Sequence, residues 1–168
     1  MVETVTIGDS LYFFTGDATP SILHYMTAIF YNKNLFDDLG IQYPSTDVKN
    51  DTWTLDRLIE ISSNQYQDLD NDTKQSVNDF YGFTSIYYNC DAFYTGVNLR
   101  LVDKDSENLL KISDDFFSER AINLVDKLGK WLTTDTCYIS RSGAAVSYVV
   151  PFAQGNALMC QLRVFMVD

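Results

Sequence analysis

Short apolar runs alternate along this chain with segments in which apolar residues recur at helical spacing. The runs Met26–Tyr31, Gly82–Ile86 and Ala157–Cys160 are bounded by turn-forming residues, which predicts three buried strands. Two further β-prone runs within residues 4–14 flank a Gly-Asp-Ser turn and predict a hairpin. Residues 133–143 lack either pattern and predict a loop.

Capping residues mark where the predicted helices begin and end. Asn32 and Thr54 each precede a segment with apolar residues at helical spacing, and Gly40 is placed to end the first of these helices. Ser113 is predicted to cap the longest helix, whose inner face runs through Phe117, Ala121, Leu124, Leu128 and Trp131. The alternation of strands and helices predicts an α/β fold, with one domain over residues 1–168 and a mixed sheet of about five strands flanked by helices.

The balance of charge excludes several classes of partner. Twelve basic and twenty-three acidic residues give the chain a net charge of −11. A chain this acidic repels phosphate backbones and anionic membrane surfaces, and its Lys and Arg residues form no stripe that would offset the repulsion. The charge therefore predicts partners that are neutral solutes or cations, and no nucleic acid.

Residues for nucleophilic or metal-centred catalysis are sparse. His24 is the only histidine, and Cys90, Cys137 and Cys160 are too widely spaced for a zinc motif, so we expect free thiols. The sequence contains neither a nucleophilic-serine motif nor a glycine-rich phosphate loop. The chain is therefore predicted not to be an enzyme, although its many carboxylates leave a glycosidase-like acid pair open as an alternative.

An aromatic and polar cluster follows the predicted strand Gly82–Ile86. In open α/β sheets, ligands bind at the carboxyl ends of the strands, and this cluster lies at such an end. Aromatic faces stack on sugar rings, while amide and carboxylate groups form hydrogen bonds with hydroxyls. The predicted ligand-binding residues are Tyr87, Tyr88, Asn89, Asp91 and Tyr94. The alternative is that these side chains only pack the junction between a strand and a helix.

The acidic segment 68–79 matches the oxygen-donor pattern of a twelve-residue calcium loop. Its final residue is Asp, as in dockerin-type loops, whereas Thr73 occupies the sixth position, at which the sharp turn favours Gly. A β-branched residue at positive φ is strained, so the alternative is a solvated acidic loop without an ion. The predicted metal ligands, at positions one, three, five, seven, nine and twelve, are Asp68, Asp70, Asp72, the Lys74 carbonyl, Ser76 and Asp79.

Several short motifs of aromatic and turn residues follow one another along nearly the whole chain. They are I-F-Y-N-K-N-L-F at 29–36, L-G-I at 39–41, W-T-L-D-R-L at 53–58, Y-G-F at 81–83 and F-A-Q-G-N-A-L-M at 152–159. Their order and spacing resemble the family of extracellular solute-binding proteins of ABC importers, in particular those for carbohydrates.

The resemblance implies a maltose-binding-protein-like receptor (family 1) with two lobes of the type II periplasmic-binding-protein fold. The matched motifs belong to the second lobe, so the chain is expected to be a fragment that covers most of that lobe. The family's second-lobe binding loop falls on residues 87–94, and Arg163 and Phe165 are added as ligand contacts near the closing strand.

The function that the resemblance implies is capture of a sugar for import, without catalysis. Its partners are the sugar and the membrane permease of an ABC transporter. The protein is expected to be a monomer outside the cell, tethered to the membrane in its full-length form. Apart from Ca²⁺ in the acidic loop, no cofactor is implied. Two rival interpretations are a fragment of an extracellular carbohydrate-active enzyme and a calcium-dependent interaction module.

Overall fold

The computed structural model describes residues 6–12, 21–141 and 147–167, and these residues form two compact units. Each unit gathers separate stretches of the chain, so a single domain over residues 1–168 stays a prediction. The first unit takes residues 1–27, 91–127 and 163–168, and the second takes 28–90 and 128–162.

The main sheet has four strands in the order β3-β8-β4-β7, namely Thr27–Tyr31, Ala157–Arg163, Tyr81–Ile86 and Cys137–Ser140. β4 is parallel to both of its neighbours, β7 and β8. β3 is antiparallel to β8, since the Asn32 N–H donates to the Leu158 carbonyl and the Val164 N–H donates to the Met26 carbonyl, each at 2.9 Å. The predicted α/β class with a mixed sheet is therefore confirmed.

In the described residues the main sheet has four strands, where the sequence predicts about five, and the early hairpin forms a separate sheet. β1 (Thr6–Ile7) and β2 (Ser10–Leu11) pair only with each other, around a turn in which Gly8 has a φ of +58°. The remaining residues of the predicted hairpin, 4–5 and 13–14, lie outside the described residues.

One further strand corrects the predictions. β7 lies within residues 133–143, for which the sequence predicts a loop. A strand of four residues without clear alternation is defined mainly by its pairing with β4, and the sequence pattern does not contain that information. β5 (Val102–Lys104) and β6 (Leu110–Ile112) form a second small antiparallel sheet, separate from the main sheet and from the β1–β2 pair.

The described residues contain seven α-helices and three short 3₁₀ helices. None of the helices in the described ranges has the length and apolar content that a bilayer-spanning segment needs. The α-helices, α1 to α7, are Ser21–His24, Lys33–Asp38, Pro44–Lys49, Leu55–Ser62, Ala92–Gly96, Glu119–Leu132 and Val150–Ala153. The 3₁₀ helices are Tyr87–Asn89, Asp114–Phe117 and Val164–Val167.

The predicted caps of α2 and α4 are confirmed. The Asn32 side chain accepts from the Asn34 and Leu35 amides, and Thr54 Oγ1 accepts from the Arg57 amide at 3.2 Å. Gly40 follows α2 with a φ of +64°, a conformation that glycine adopts without strain.

The predicted start of the longest helix is wrong. Ser113 caps only a 3₁₀ turn, and α6 begins at Glu119, where Ser118 Oγ accepts from the Ala121 amide at 3.2 Å. Phe117 therefore precedes α6 and is 72% exposed. The difference has a local cause: Ser113 and Ser118 can both cap a helix, and the α-helix begins after the second of them. Ala121, Leu124 and Trp131 of the predicted inner face are buried.

The core of the second unit surrounds β4, in which all six residues are buried. The Phe83 ring packs against the Trp131 ring of α6 at a centroid distance of 4.7 Å. Trp131 Nε1 donates to Ser62 Oγ of α4 at 3.0 Å, so the indole is both packed and hydrogen-bonded. This core holds β4 in place, with the acidic loop before its first residue and the aromatic cluster after its last.

Candidate functional site

The acidic loop is closed at its base by a pair of backbone hydrogen bonds. The Gln67 N–H donates to the Phe80 carbonyl at 3.1 Å, and the Phe80 N–H donates back to Gln67 at 2.9 Å. The loop is also attached at its middle, where Gln75 Nε2 donates to the Asp135 carbonyl at 2.8 Å. Residues 68–79 therefore form a closed loop directly before β4.

Three of the six predicted metal ligands converge. One carboxylate oxygen from each of Asp68, Asp70 and Asp79 lies within 4.8 Å of the others. Within the described part of the chain, none of these carboxylates forms an ion pair with Lys, Arg or His. Like charges at this separation repel each other, and a hard divalent cation would offset that repulsion.

Asp79 is buried within hydrogen bonds that hold the loop to the sheet. Its carboxylate accepts from the Leu69 N–H at 3.2 Å, from the Ser76 N–H at 2.8 Å and from the Tyr81 hydroxyl at 3.3 Å. The Tyr81 hydroxyl also donates to the Ser76 carbonyl at 2.7 Å. Burial, reinforced by the nearby Asp79 carboxylate, raises the pKa of Tyr81 well above its ordinary value, so the phenol stays a donor at neutral pH.

The backbone of the loop takes positive φ at its sixth position, where a calcium loop makes its sharp turn. Asn71 and Thr73 have φ values of +58° and +62°, so Thr73 adopts the left-handed conformation in spite of its branched side chain. Asp68 stabilises this shape by accepting from the Asn71 amide at 2.7 Å and from the Thr73 amide at 2.9 Å. The strained conformation expected at the sixth position is therefore present, and hydrogen bonds from Asp68 hold it.

The other three predicted ligands are placed differently. Asp72 and Lys74 are exposed, and the Asp72 carboxylate, which is not part of the convergent group, accepts from the Lys74 N–H at 2.8 Å. Ser76 Oγ accepts from the Asn78 N–H at 3.0 Å. This part of the chain thus supplies three convergent carboxylates, and further ligands would have to come from Asp72, the Lys74 carbonyl, Ser76 or water.

The predicted solute-binding residues divide between the two units. Tyr87, Tyr88 and Asn89 belong to the second unit, and they form the 3₁₀ turn directly after β4. The two tyrosine rings are 56% and 37% exposed and meet edge to face at a centroid distance of 5.2 Å. Since β4 is parallel to both neighbours, these rings stand at the carboxyl edge of a parallel part of the sheet.

Asn89 is buried and does not present its side chain to solvent. Its Nδ2 donates to the Gln161 carbonyl of β8 at 3.3 Å, and its Oδ1 accepts no hydrogen bond from the described residues. The Gln161 side chain accepts from Ser85 Oγ of β4 at 2.7 Å. Asn89 therefore fixes the turn after β4 to the neighbouring strand, a role for which its residue type gives no signal.

The remaining predicted solute contacts belong to the first unit. The Asp91 side chain is exposed, whereas the Tyr94 hydroxyl is buried without a hydrogen-bond partner among the described residues. The Arg163 guanidinium lies 5.8 Å from the centroid of the Tyr25 ring, and Tyr25 meets Phe165 edge to face at 5.5 Å. Tyr25 is not among the predicted solute contacts, and it lies just before the predicted strand Met26–Tyr31.

The three cysteines and His24 differ in their exposure. Cys90, Cys137 and Cys160 are free thiols. Burial raises the pKa of both Cys137 and Cys160 to about 12, so both thiols stay protonated at neutral pH. His24 is exposed at the end of the four-residue helix α1.

Comparison of the chain with models of known protein families, with curated proteins and with solved structures gives no match. The likeness to receptors of carbohydrate importers therefore rests on the motifs in the sequence. The geometry of the aromatic turn and of the acidic loop is the independent basis for a functional proposal.

Proposed function

We propose that the chain is a lobe of a non-catalytic solute-binding protein that captures a sugar for an ABC-type importer. The observation that carries the proposal is the exposed pair Tyr87 and Tyr88 at the carboxyl end of β4. Ligands of open α/β sheets bind outside the carboxyl ends of the strands. A large aromatic ring that is left in solvent at this edge provides an apolar face for the C–H groups of a sugar ring.

The hydrogen bond from Asn89 to the Gln161 carbonyl supports this assignment. It fixes the turn that carries both tyrosines, so less side-chain and backbone freedom is lost when a solute binds. The net charge of −11 also favours a neutral solute over an anionic one. The proposal includes a type II periplasmic-binding-protein-like lobe, a membrane permease as partner, and a monomer tethered outside the cell.

Tyr88→Ala is expected to weaken sugar binding by about tenfold, because it removes an aromatic contact worth roughly 1–3 kcal/mol. A single lobe cannot enclose a solute, so the chain itself is expected to bind with a Kd of about 1 mM or weaker. Isotope-labelled protein would be titrated with glucose, xylose and their oligosaccharides while its amide resonances are followed. Phe117→Ala is the matched control, since it removes another exposed aromatic ring that is not part of the 87–89 turn.

Three results would contradict the proposal. If no sugar shifts any resonance in the 87–89 turn, the exposed tyrosines are surface residues without this role. If the chain releases product from nitrophenyl glycosides, the rival interpretation as a carbohydrate-active enzyme is favoured. Micromolar sugar affinity of the chain by itself would contradict the division of the binding site between two lobes.

We also propose that the acidic loop binds calcium and that the ion stabilises the fold. The convergence of Asp68, Asp70 and Asp79, with no cationic side chain paired to them in the described residues, favours this second role. The residues present fit a hard cation, because the loop offers only oxygen ligands and already takes positive φ at Asn71 and Thr73. When bound, the ion would neutralise the mutual repulsion of the carboxylates.

Millimolar calcium is expected to raise the melting temperature relative to chelator, whereas Asp70→Asn should reduce this increase. Thr73→Gly is expected to raise the melting temperature in chelator as well as in calcium, because Thr73 takes positive φ without the ion and the substitution relieves roughly 1–2 kcal/mol of left-handed strain in either state. Asn71→Gly is the matched control, since Asn tolerates the same φ and gains little from the change. Melting curves with calcium, magnesium and chelator measure the effect. A melting temperature that ignores calcium in the wild type and in Thr73→Gly shows that the loop does not bind calcium.

A further inference from the structure

The same tripeptide, Asn-Asp-Thr, occurs twice in the chain, at residues 50–52 and at residues 71–73. Asn-X-Thr, where X is not Pro, is the acceptor sequence for transfer of an oligosaccharide to the Asn side chain. All residues of both copies are exposed, and both copies belong to the second unit. Because the tripeptides are identical, a difference between them as acceptors has to come from their surroundings.

The first copy is bound to the end of helix α3. The Asn50 and Thr52 amides donate to the Asp47 carbonyl at 3.2 and 2.9 Å. Thr52 Oγ1 also donates to Asp47, to its carbonyl and to its carboxylate, at 3.2 Å in each case. Asp47 is buried and pairs with Arg57, so it is a fixed acceptor. The Thr52 hydroxyl is therefore engaged within the fold.

The second copy lies in the exposed part of the acidic loop and leaves its side-chain amide and hydroxyl open. Its backbone amides donate to the carboxylates of Asp68 and Asp70, which hold the turn in place. The Asn71 side-chain amide and the Thr73 hydroxyl form no hydrogen bond with the described residues. Asn71 occupies the fourth position of the loop and is not a predicted calcium ligand, so a group attached to it would not displace a ligand.

We propose that Asn71 is an acceptor site for N-linked glycosylation, whereas Asn50 is not. In the reaction, the Asn71 side-chain nitrogen forms a bond to the anomeric carbon of a lipid pyrophosphate-linked oligosaccharide. The bond from that carbon to the pyrophosphate oxygen breaks, the lipid pyrophosphate leaves, and one amide proton passes to a base of the transferase. The Thr73 hydroxyl, which the acceptor sequence requires, is accessible to the transferase.

This inference goes beyond the proposed function and shares with it only the location outside the cell, because exported chains are the ones that are glycosylated in this way. The acidic loop precedes β4 and the aromatic turn follows it, so a glycan on Asn71 leaves the proposed sugar contacts of that turn accessible. The test of this inference involves neither sugar capture nor calcium. Its failure would therefore leave both of those proposals standing.

The test is in vitro glycosylation of the folded chain, with a purified oligosaccharyltransferase that accepts Asn-X-Thr and a lipid pyrophosphate-linked oligosaccharide. Mass spectrometry of proteolytic peptides measures the occupancy of residues 50 and 71 over time. Asn71 is expected to be modified at least about tenfold faster than Asn50, because the hydrogen bonds of Thr52 have to open first. Thr73→Ser keeps the hydroxyl and should keep the modification, whereas Thr73→Ala and Asn71→Gln should abolish it.

Two synthetic peptides, residues 45–57 and 66–78, are the matched controls, since each presents the acceptor tripeptide without the fold. Both are expected to be modified at similar rates. Equal rates at Asn50 and Asn71 in the folded chain would overturn the proposal, as would a folded chain that is modified at neither position. A 66–78 peptide that the enzyme rejects would also overturn it, because the sequence itself would then be no acceptor.

Discussion

Gly82→Ala is expected to lower the free energy of unfolding by about 3 kcal/mol or more, the largest effect that we foresee for a single methyl group. A Cβ atom on Gly82 would lie 2.6 Å from Thr136 Oγ1 and 2.8 Å from the carbonyl carbon of Ser62, and would overlap the Ser62 carbonyl oxygen. These contacts are too short for real Cβ atoms, and two of the three atoms belong to backbone, which cannot rotate away.

The surroundings of Gly82 cannot move without further loss. The Thr136 hydroxyl donates to the Ser62 carbonyl, and the amides of Gly82 and Phe83 donate to the Thr136 carbonyl at 3.0 and 3.1 Å. Ser62 is itself held by Trp131, so a shift of the helix end would disturb the core around β4. Urea denaturation measures the effect as a lower midpoint, or the variant fails to fold.

Gly129→Ala is the matched control for the same substitution. Gly129 lies within α6, and an added Cβ would meet no atom within 4 Å. Alanine is favoured over glycine in a helix interior by about 1 kcal/mol, so this variant should be more stable than the wild type. An unchanged midpoint for Gly82→Ala would show that β4 and the end of α4 are not as close as described.

Asp79→Ala is expected to lower the free energy of unfolding by about 2–3 kcal/mol in the presence of chelator. The substitution leaves the part-buried Leu69 and Ser76 amides without their acceptor, whereas the Tyr81 hydroxyl keeps the Ser76 carbonyl as its acceptor; a donor left unpaired costs roughly 1–3 kcal/mol. Relief of repulsion with Asp68 and Asp70 offsets part of this loss. Urea midpoints measured in chelator report this loss of stability in the absence of calcium.

The effect of Asp79→Ala on calcium binding is measured in a separate experiment. Asp79→Ala should also abolish the increase in melting temperature on addition of calcium, because it removes one of three convergent carboxylates. Asp72→Ala is the control within the same loop, since Asp72 is exposed and lies outside the convergent group. Its cost in chelator should stay below about 1 kcal/mol. Equal losses in the two variants would contradict the role of Asp79 as the anchor of the loop.

Local sequence determined the parts of the molecule that depend on neighbouring residues. The caps Asn32 and Thr54 act within three residues of their own positions, so a short pattern contains everything that they need. The acidic loop is also local, because the spacing of Asp68, Asp70 and Asp79 places three carboxylates around one turn of chain. The strain expected at Thr73 follows from its branched side chain and likewise required no tertiary information.

Tertiary structure decided where strands pair and which side chains they expose. β7 exists as a strand because it adds to β4, and β3 runs antiparallel to β8 because of pairing across more than a hundred residues. That pairing joins Tyr25 to Phe165. Similarly, the residue type of Asn89 would suit an exposed ligand contact. Its side chain is nevertheless buried, because it donates to a carbonyl 72 positions away in the chain. Which strands pair depends on how the whole sheet is buried, and local sequence patterns do not contain that information.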